Sequence, residues 1–176
     1  MMIDLGLASA IDVQSFGEPG QRTFQMRIEG AEGDCAVLWL EKEQLQALQI
    51  ALKQMLAQLD YETGSPPDMA GFSLSPNHEF KVGRMSMGFD HRDQKVILQA
   101  YDVESPDEDD PLLSTKVSPD QCAVLRVQLL EIISGGRPLC PLCEAAIDKS
   151  GHTCIRSNGH SKQTIPGPGN DPEEGA

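Results

Sequence analysis

The amino-acid sequence predicts an α+β fold: a two-layer domain with a mainly antiparallel sheet and two helices on one face, followed by a small C-terminal knot. Three observations predict it. Segments with strand-like alternation come in threes, and each trio is followed by one stretch of helical period. The last quarter then gathers cysteine and histidine at short spacing. The order strand-strand-strand-helix thus occurs twice, which suggests a duplicated unit, read from element order and not from matching letters.

Val13 to Phe16 leads into Gly17-Glu18-Pro19-Gly20, a turn in which Pro presets one φ and Gly accepts a positive one. Thr23 to Ile28 alternates apolar and polar residues as a half-buried strand does, Ala31 to Asp34 turns, and Cys35 to Leu40 is a compact apolar strand. From Glu41 to Leu59 the period changes, with Leu45, Leu48, Leu52, Met55, Leu56 and Leu59 on one helical stripe. Gly64, Pro66, Pro67, Gly71 and Pro76 break the chain into a long loop.

The second half repeats the plan. Phe80 to Phe89 and Lys95 to Val103 form a hairpin around Asp90-His91-Arg92-Asp93, and Leu112 to Val117 is a short third strand. Ser118-Pro119-Asp120-Gln121 is a helix start, with Ser118 as N-cap and Gln121 closing a capping box. Cys122, Leu125, Leu129, Ile132 and Ile133 keep helical period until Gly135-Gly136. The expected organisation is an α+β domain over 1–137, a knot over 138–160, and a disordered tail over 161–176 that is rich in Gly, Pro and acid.

In the knot, Cys140-Pro141-Leu142-Cys143 is followed by His152-Thr153-Cys154 and then His160. Thiolate and imidazole suit a tetrahedral zinc ion, and two cysteines three apart around a stiff Pro span one edge of the tetrahedron. His152 and Cys154 face one side of an extended segment and supply the opposite edge. The expected ligands are therefore Cys140, Cys143, His152 and Cys154, with His160 as an alternative to His152, since Asn158-Gly159 can fold that segment back. The result is a structural, zinc-ribbon-like site. A redox pair is disfavoured because no helix follows Cys143, and catalytic zinc because four protein ligands leave no position open for water.

Composition bounds the remainder. Hydrophobic residues make up 39% and charged residues 23%, no apolar run is long enough for a membrane span, and no signal peptide is evident, so a cytoplasmic protein is expected. A net charge of −13 with only 5% aromatics argues against general nucleic-acid binding and against anionic membranes. Glu18, Gln21 and Arg22 flank the first turn, where they are a candidate ligand-binding group or a solvated turn. His78 and His91 read as turn residues, Asp107 to Asp110 as a solvated acidic loop, and Cys35 and Cys122 as small buried hydrophobes. Gly-rich phosphate loops, nucleophile elbows and metalloprotease motifs are absent, so no catalytic constellation is recognisable.

The segment Gly17-Glu18-Pro19-Gly20-Gln21-Arg22-Thr23-Phe24, the run Leu40-Glu41-Lys42-Glu43-Gln44, Phe80-Lys81-Val82-Gly83, and Gly136-Arg137-Pro138 ahead of the cysteine cluster resemble DUF3090. This is a family of bacterial proteins of unknown function, and the likeness runs from Ser15 to His160. The family is similar in ending with a C-P-x-C-G knuckle and a G-H-x-C-P stretch, which fall here on Cys140, Pro141, Cys143, Gly151, His152 and Cys154. Glu144 stands where that pattern has Gly, and Ile155 where it has Pro; neither removes a ligand. The resemblance implies His152 rather than His160 as ligand and supplies no reaction. The expected function is a noncatalytic binding or adaptor protein with a protein partner and structural Zn2+. The alternative is an enzyme or small-molecule-binding domain that takes an anionic ligand at the Glu18 to Arg22 turn.

Overall fold

Each strand trio becomes a hydrogen-bonded meander because its alternation places every second side chain on one face. The computed structural model describes residues 2–18, 20–61, 71–105, 109–135, 137, 140, 142–144, 147, 151–154 and 162–163. In chain order these form β1 (Ile3–Phe16), β2 (Thr23–Gly30), β3 (Cys35–Leu40), α1 (Lys42–Gln58), β4 (His78–Asp90), β5 (Lys95–Asp102), β6 (Leu113–Val117) and α2 (Pro119–Ser134). Two short strands follow, β7 (His152–Thr153) and β8 (Lys162–Gln163). The chain divides into two compact units, Met1–Leu129 and Leu130–Ala176.

The expected α+β class holds: the chain has a mainly antiparallel sheet of six strands with two helices, and the sheet is curled on itself. The six strands close into a barrel in the order β1-β2-β3-β4-β5-β6. Closure depends on two long strands that serve two partners each. β1 pairs parallel with β6 through Ile3, Asp4 and Leu7, then antiparallel with β2 from Ala8 onward. β4 pairs parallel with β3 from His78 to Lys81, then antiparallel with β5 from Val82. A β-bulge lies at each change of partner, between Ala8 and Ala10 and between Val82 and Arg84, and such bulges bend and twist a strand. The sequence reading starts the first strand at Val13; the residues it leaves out, from Ile3, are the ones that close the barrel. At the crossing, a Cβ on Gly30 would stand 2.3 Å from the Leu5 carbonyl oxygen, so only Gly allows that approach.

The matching bulges show the same unit twice. From them, Val13 opposite Met26 corresponds to Met87 opposite Leu98, and the helix starts Glu41 and Ser118 follow β3 and β6 in the same way. Both helices begin with a Gln in their first turn that does two jobs. In α2 the Ser118 Oγ accepts from the Gln121 N–H at 3.1 Å while the Gln121 Oε1 accepts from the Ser118 N–H at 3.0 Å, the expected capping box. The Gln121 Nε2 then donates to the Ala8 carbonyl at the first bulge (2.9 Å). In α1 the Gln44 Oε1 accepts from the Glu41 N–H at 2.8 Å, and the Gln44 Nε2 donates to the Val82 carbonyl at the second bulge (2.9 Å).

Leu5, Ile11, Met26, Ile28, Leu38 and Leu113 are buried, as are Leu45 and Leu52 of α1 and Leu125 and Leu129 of α2. Each such side chain contributes about 1.5–3 kcal/mol by leaving water. Outside β2 and β3, residues 71–77 run as a strap. The Glu29 carboxylate accepts from the Ser73 N–H (2.9 Å), the Ser73 hydroxyl (2.8 Å) and the Leu74 N–H (3.0 Å). The Leu74 N–H and the Ser73 hydroxyl hold this buried carboxyl below its ordinary pKa. Beside it the Arg27 guanidinium lies 4.2 Å from the Phe72 ring centre and bonds both oxygens of Asp12. Among the described residues no helix is long and apolar enough to cross a membrane.

Candidate metal centre

The second unit begins at Leu130, within the last turns of α2. Gly135, at φ 63°, turns the chain out of the helix, and both the backbone N–H and the Nε of Arg137 donate to the Ser134 carbonyl. The chain then enters the Cys140 to Cys143 knuckle, closed by a hydrogen bond from the Glu144 N–H to the Cys140 carbonyl at 2.8 Å. Closing it puts Glu144 at φ 63°, in the left-handed region where Gly is at ease and other residues are strained by about 1–2 kcal/mol. The tight turn is therefore formed despite the missing Gly. Leu142 at its tip is half exposed.

The other two groups come from the β7 segment, whose His152 pairs with Gln163 and Thr153 with Lys162. This ribbon reaches two residues into the stretch that the sequence reading assigns to the tail. The extended backbone does what the two-residue spacing predicts. The His152 Nε2 lies 3.0 Å from the Cys143 Sγ, and the Cys154 Sγ lies 3.7 Å from the Cys140 Sγ. One ligand atom from each of Cys140, Cys143, His152 and Cys154 lies within 4.8 Å of the others, a cluster that could hold a metal ion. A tetrahedral ion with bonds of about 2.3 Å to sulfur separates two sulfurs by about 3.8 Å, close to the Cys140–Cys154 spacing.

The electrostatics suit a cation. Cys140 and Cys154 are fully buried, while Cys143 and His152 are partly exposed. The Cys143 backbone N–H, with that of Leu142 and the neighbouring thiols, lowers the Cys140 thiol to about 6, so a thiolate ligand is available at neutral pH. His160 lies outside the described residues, as do all other residues of the tail except 162–163.

The remaining candidates are dispersed. Glu18, Gln21 and Arg22 sit in the β1–β2 hairpin, where the Gln21 N–H donates to the Glu18 carbonyl. Gly17, at φ 96°, is obligatory there because a Cβ would meet the Gln21 carbonyl oxygen at 2.8 Å. His78 opens β4 and stands 3.9 Å from Asp34, and the His91 ring packs edge-on against Phe89. Cys35 and Cys122 are buried; burial raises the Cys35 thiol and pushes Cys122 up to about 12, which makes both inert as nucleophiles. Asp107 and Glu108 of the acidic loop lie outside the described residues.

One feature has no counterpart in the sequence motifs. A cavity of about 260 Å³ opens between α1 and β4, lined by residues that include Ala47, Leu48, Ala51, Met85, Met87 and Leu98. The available signal was the pair Ala47 and Ala51, one helical turn apart beside the buried stripe.

No curated protein and no solved structure is significantly similar to the chain. Residues 6–154, which include all four members of the cysteine and histidine cluster, match the family model described as "Protein of unknown function (DUF3090)". With most of its length so matched, the chain belongs to the DUF3090 family.

Proposed function

We propose that the chain is a noncatalytic binding or adaptor protein whose C-terminal unit is shaped by one structural zinc ion held by Cys140, Cys143, His152 and Cys154. The observation that carries this is the convergence of three sulfurs and one imidazole nitrogen within 4.8 Å. Soft thiolates with one imidazole favour zinc over magnesium or calcium, and four protein ligands complete a tetrahedral shell. A complete shell gives no place for a reacting water, so the ion's chemistry there is to fix the fold. The half-exposed Leu142 at the knuckle tip supplies an apolar contact for a protein partner. A site that needs reduced thiolates as ligands suits a reducing cytoplasm.

Elemental analysis of the purified full chain tests the zinc reading. One zinc per chain is expected; metal-free protein with reduced thiols and an intact second unit overturns it. A photo-crosslinking residue placed at Leu142 tests the partner reading. A defined protein adduct in cells is expected, and the absence of any adduct at this position overturns it.

A further inference from the structure

The chain has five cysteines, and their surroundings set one apart from the rest. Cys35 and Cys122 are buried in the first unit, and Cys140 and Cys154 are fully buried in the second. Cys143 is partly exposed, next to the half-exposed Leu142 at the knuckle tip. A dissolved oxidant therefore reaches one sulfur of the five directly. A second sulfur stands behind it: the Cys140 Sγ lies within 4.8 Å of the Cys143 Sγ, and the Glu144 N–H bonded to the Cys140 carbonyl at 2.8 Å folds the two residues together. An accessible thiolate beside a second thiolate that can displace its oxidised form is the arrangement of redox-sensing cysteines.

We propose that Cys143 is the site at which peroxides oxidise this protein, and that the disulfide it then forms with Cys140 discharges the metal. This role rests on the zinc reading of the cluster, because coordination keeps Cys143 in the thiolate form, which is the form that attacks. The Cys143 thiolate attacks one oxygen of the peroxide. An S–O bond forms, the O–O bond breaks, and hydroxide leaves, so Cys143 becomes a sulfenic acid. The Cys140 thiolate then attacks that sulfur; an S–S bond forms, the S–O bond breaks, and a second hydroxide leaves. The two thiolates have given up two electrons and the peroxide has taken them, so no other co-reactant is needed.

The consequence for the metal follows from the ligands left behind. Cys140 and Cys143 are half of the cluster, and a disulfide sulfur carries no charge with which to hold a cation. His152 and Cys154 remain, too few for a closed tetrahedral shell. Without its ion the unit loses what shapes it, and with that the presentation of Leu142. This differs from a thioredoxin-like pair, which exchanges disulfides with other proteins; here the disulfide acts on the protein's own fold. A dithiol that attacks the exposed Cys143 sulfur restores both thiolates, and the site reloads.

The test treats the full-length, zinc-loaded protein with a single equivalent of hydrogen peroxide. Zinc release is followed with a chromogenic chelator, and the cysteines are mapped by mass spectrometry. One zinc released per Cys140–Cys143 disulfide is expected, with Cys35 and Cys122 left reduced, and dithiothreitol with added zinc should restore the metal. Dimedone present during the reaction should trap the sulfenic acid on Cys143. Cys143→His keeps four ligands but removes the exposed sulfur, and is expected to slow zinc release about ten-fold or more, whereas Cys154→His should release zinc as the native chain does. Should Cys143→His fail to hold zinc, the dimedone adduct and the disulfide map of the native chain decide. Native protein that carries no zinc overturns this proposal together with the zinc reading. Zinc-loaded protein that keeps its zinc under peroxide, or whose first oxidised sulfur or disulfide lies elsewhere, overturns this proposal alone.

Discussion

The first unit and the second hold their shapes by different means. The barrel has a continuous apolar interior, with Leu5, Met26, Ile28, Leu38 and Leu113 all at 2% exposure or less, and a ladder with every long strand paired on both sides for part of its length. The second unit, beyond its helical start, has Cys140 and Cys154 as its fully buried described residues and a ribbon of two residues per strand. A ribbon so short is not stable alone, and in the proposed zinc-bound form a few coordinate bonds replace a core there. The difference teaches that one chain can combine a fold written in patterning with a fold written in ligands. Removing a side chain should therefore damage the two units in different currencies.

The largest effect is expected from the ligands. Cys140→Ser or Cys154→Ser should release the metal entirely and unfold the C-terminal unit, while the barrel's thermal transition stays in place. Elemental analysis and hydrogen exchange check this, and loss of protection across β1 to β6 would break the comparison. Next comes Leu38→Ala, a fully buried barrel residue, expected to destabilise the barrel by about 2–5 kcal/mol in denaturant titration without changing metal content.

Smaller effects sharpen the comparison within each unit. Gln121→Ala and Gln44→Ala each remove a helix cap and a bond to a bulge carbonyl, and each should cost about 1–2 kcal/mol of barrel stability. Glu144→Gly should stabilise the metal unit by up to about 1 kcal/mol, measured as tighter metal retention against a chelator, because it relieves a positive φ. The strap supplies a pH test. The folded carboxyl of Glu29 is held below its unfolded value, so its contribution is present above ordinary glutamate pKa and is lost as pH falls through the lower, folded value. Exchange protection at Ser73 and Leu74 should fall in that acidic window, and Glu29→Gln should remove most of the pH dependence.

Much of this was legible in the letters, for reasons that particular residues show. Ser118 and Gln121 announce α2 because a capping box is local chemistry, complete within four residues. The four metal-site residues are legible for the same reason: their spacing is short and the backbone between paired members is constrained. The start of α1 was less plain because Glu41 is not among the usual N-cap residues, although Glu41 and Gln44 form the same reciprocal box. Barrel closure was not legible, since it depends on Ile3 meeting Leu113, a pairing between residues that no local pattern connects. The cavity was hidden as well. Ala47 and Ala51 read as good helix formers, and their smallness matters only beside Val124 and Gln128 of the other repeat.

The parallel seam between β1 and β6 also sets the order of events in time. Ile3 cannot find Leu113 until more than a hundred intervening residues exist and are arranged, and such distant pairings are formed late because loop-closure entropy must be overcome first. During synthesis from the ribosome the first half-barrel must wait, with the edge of β1 open, for β6 to emerge. The last stitch of the barrel is thus expected to involve its first strand.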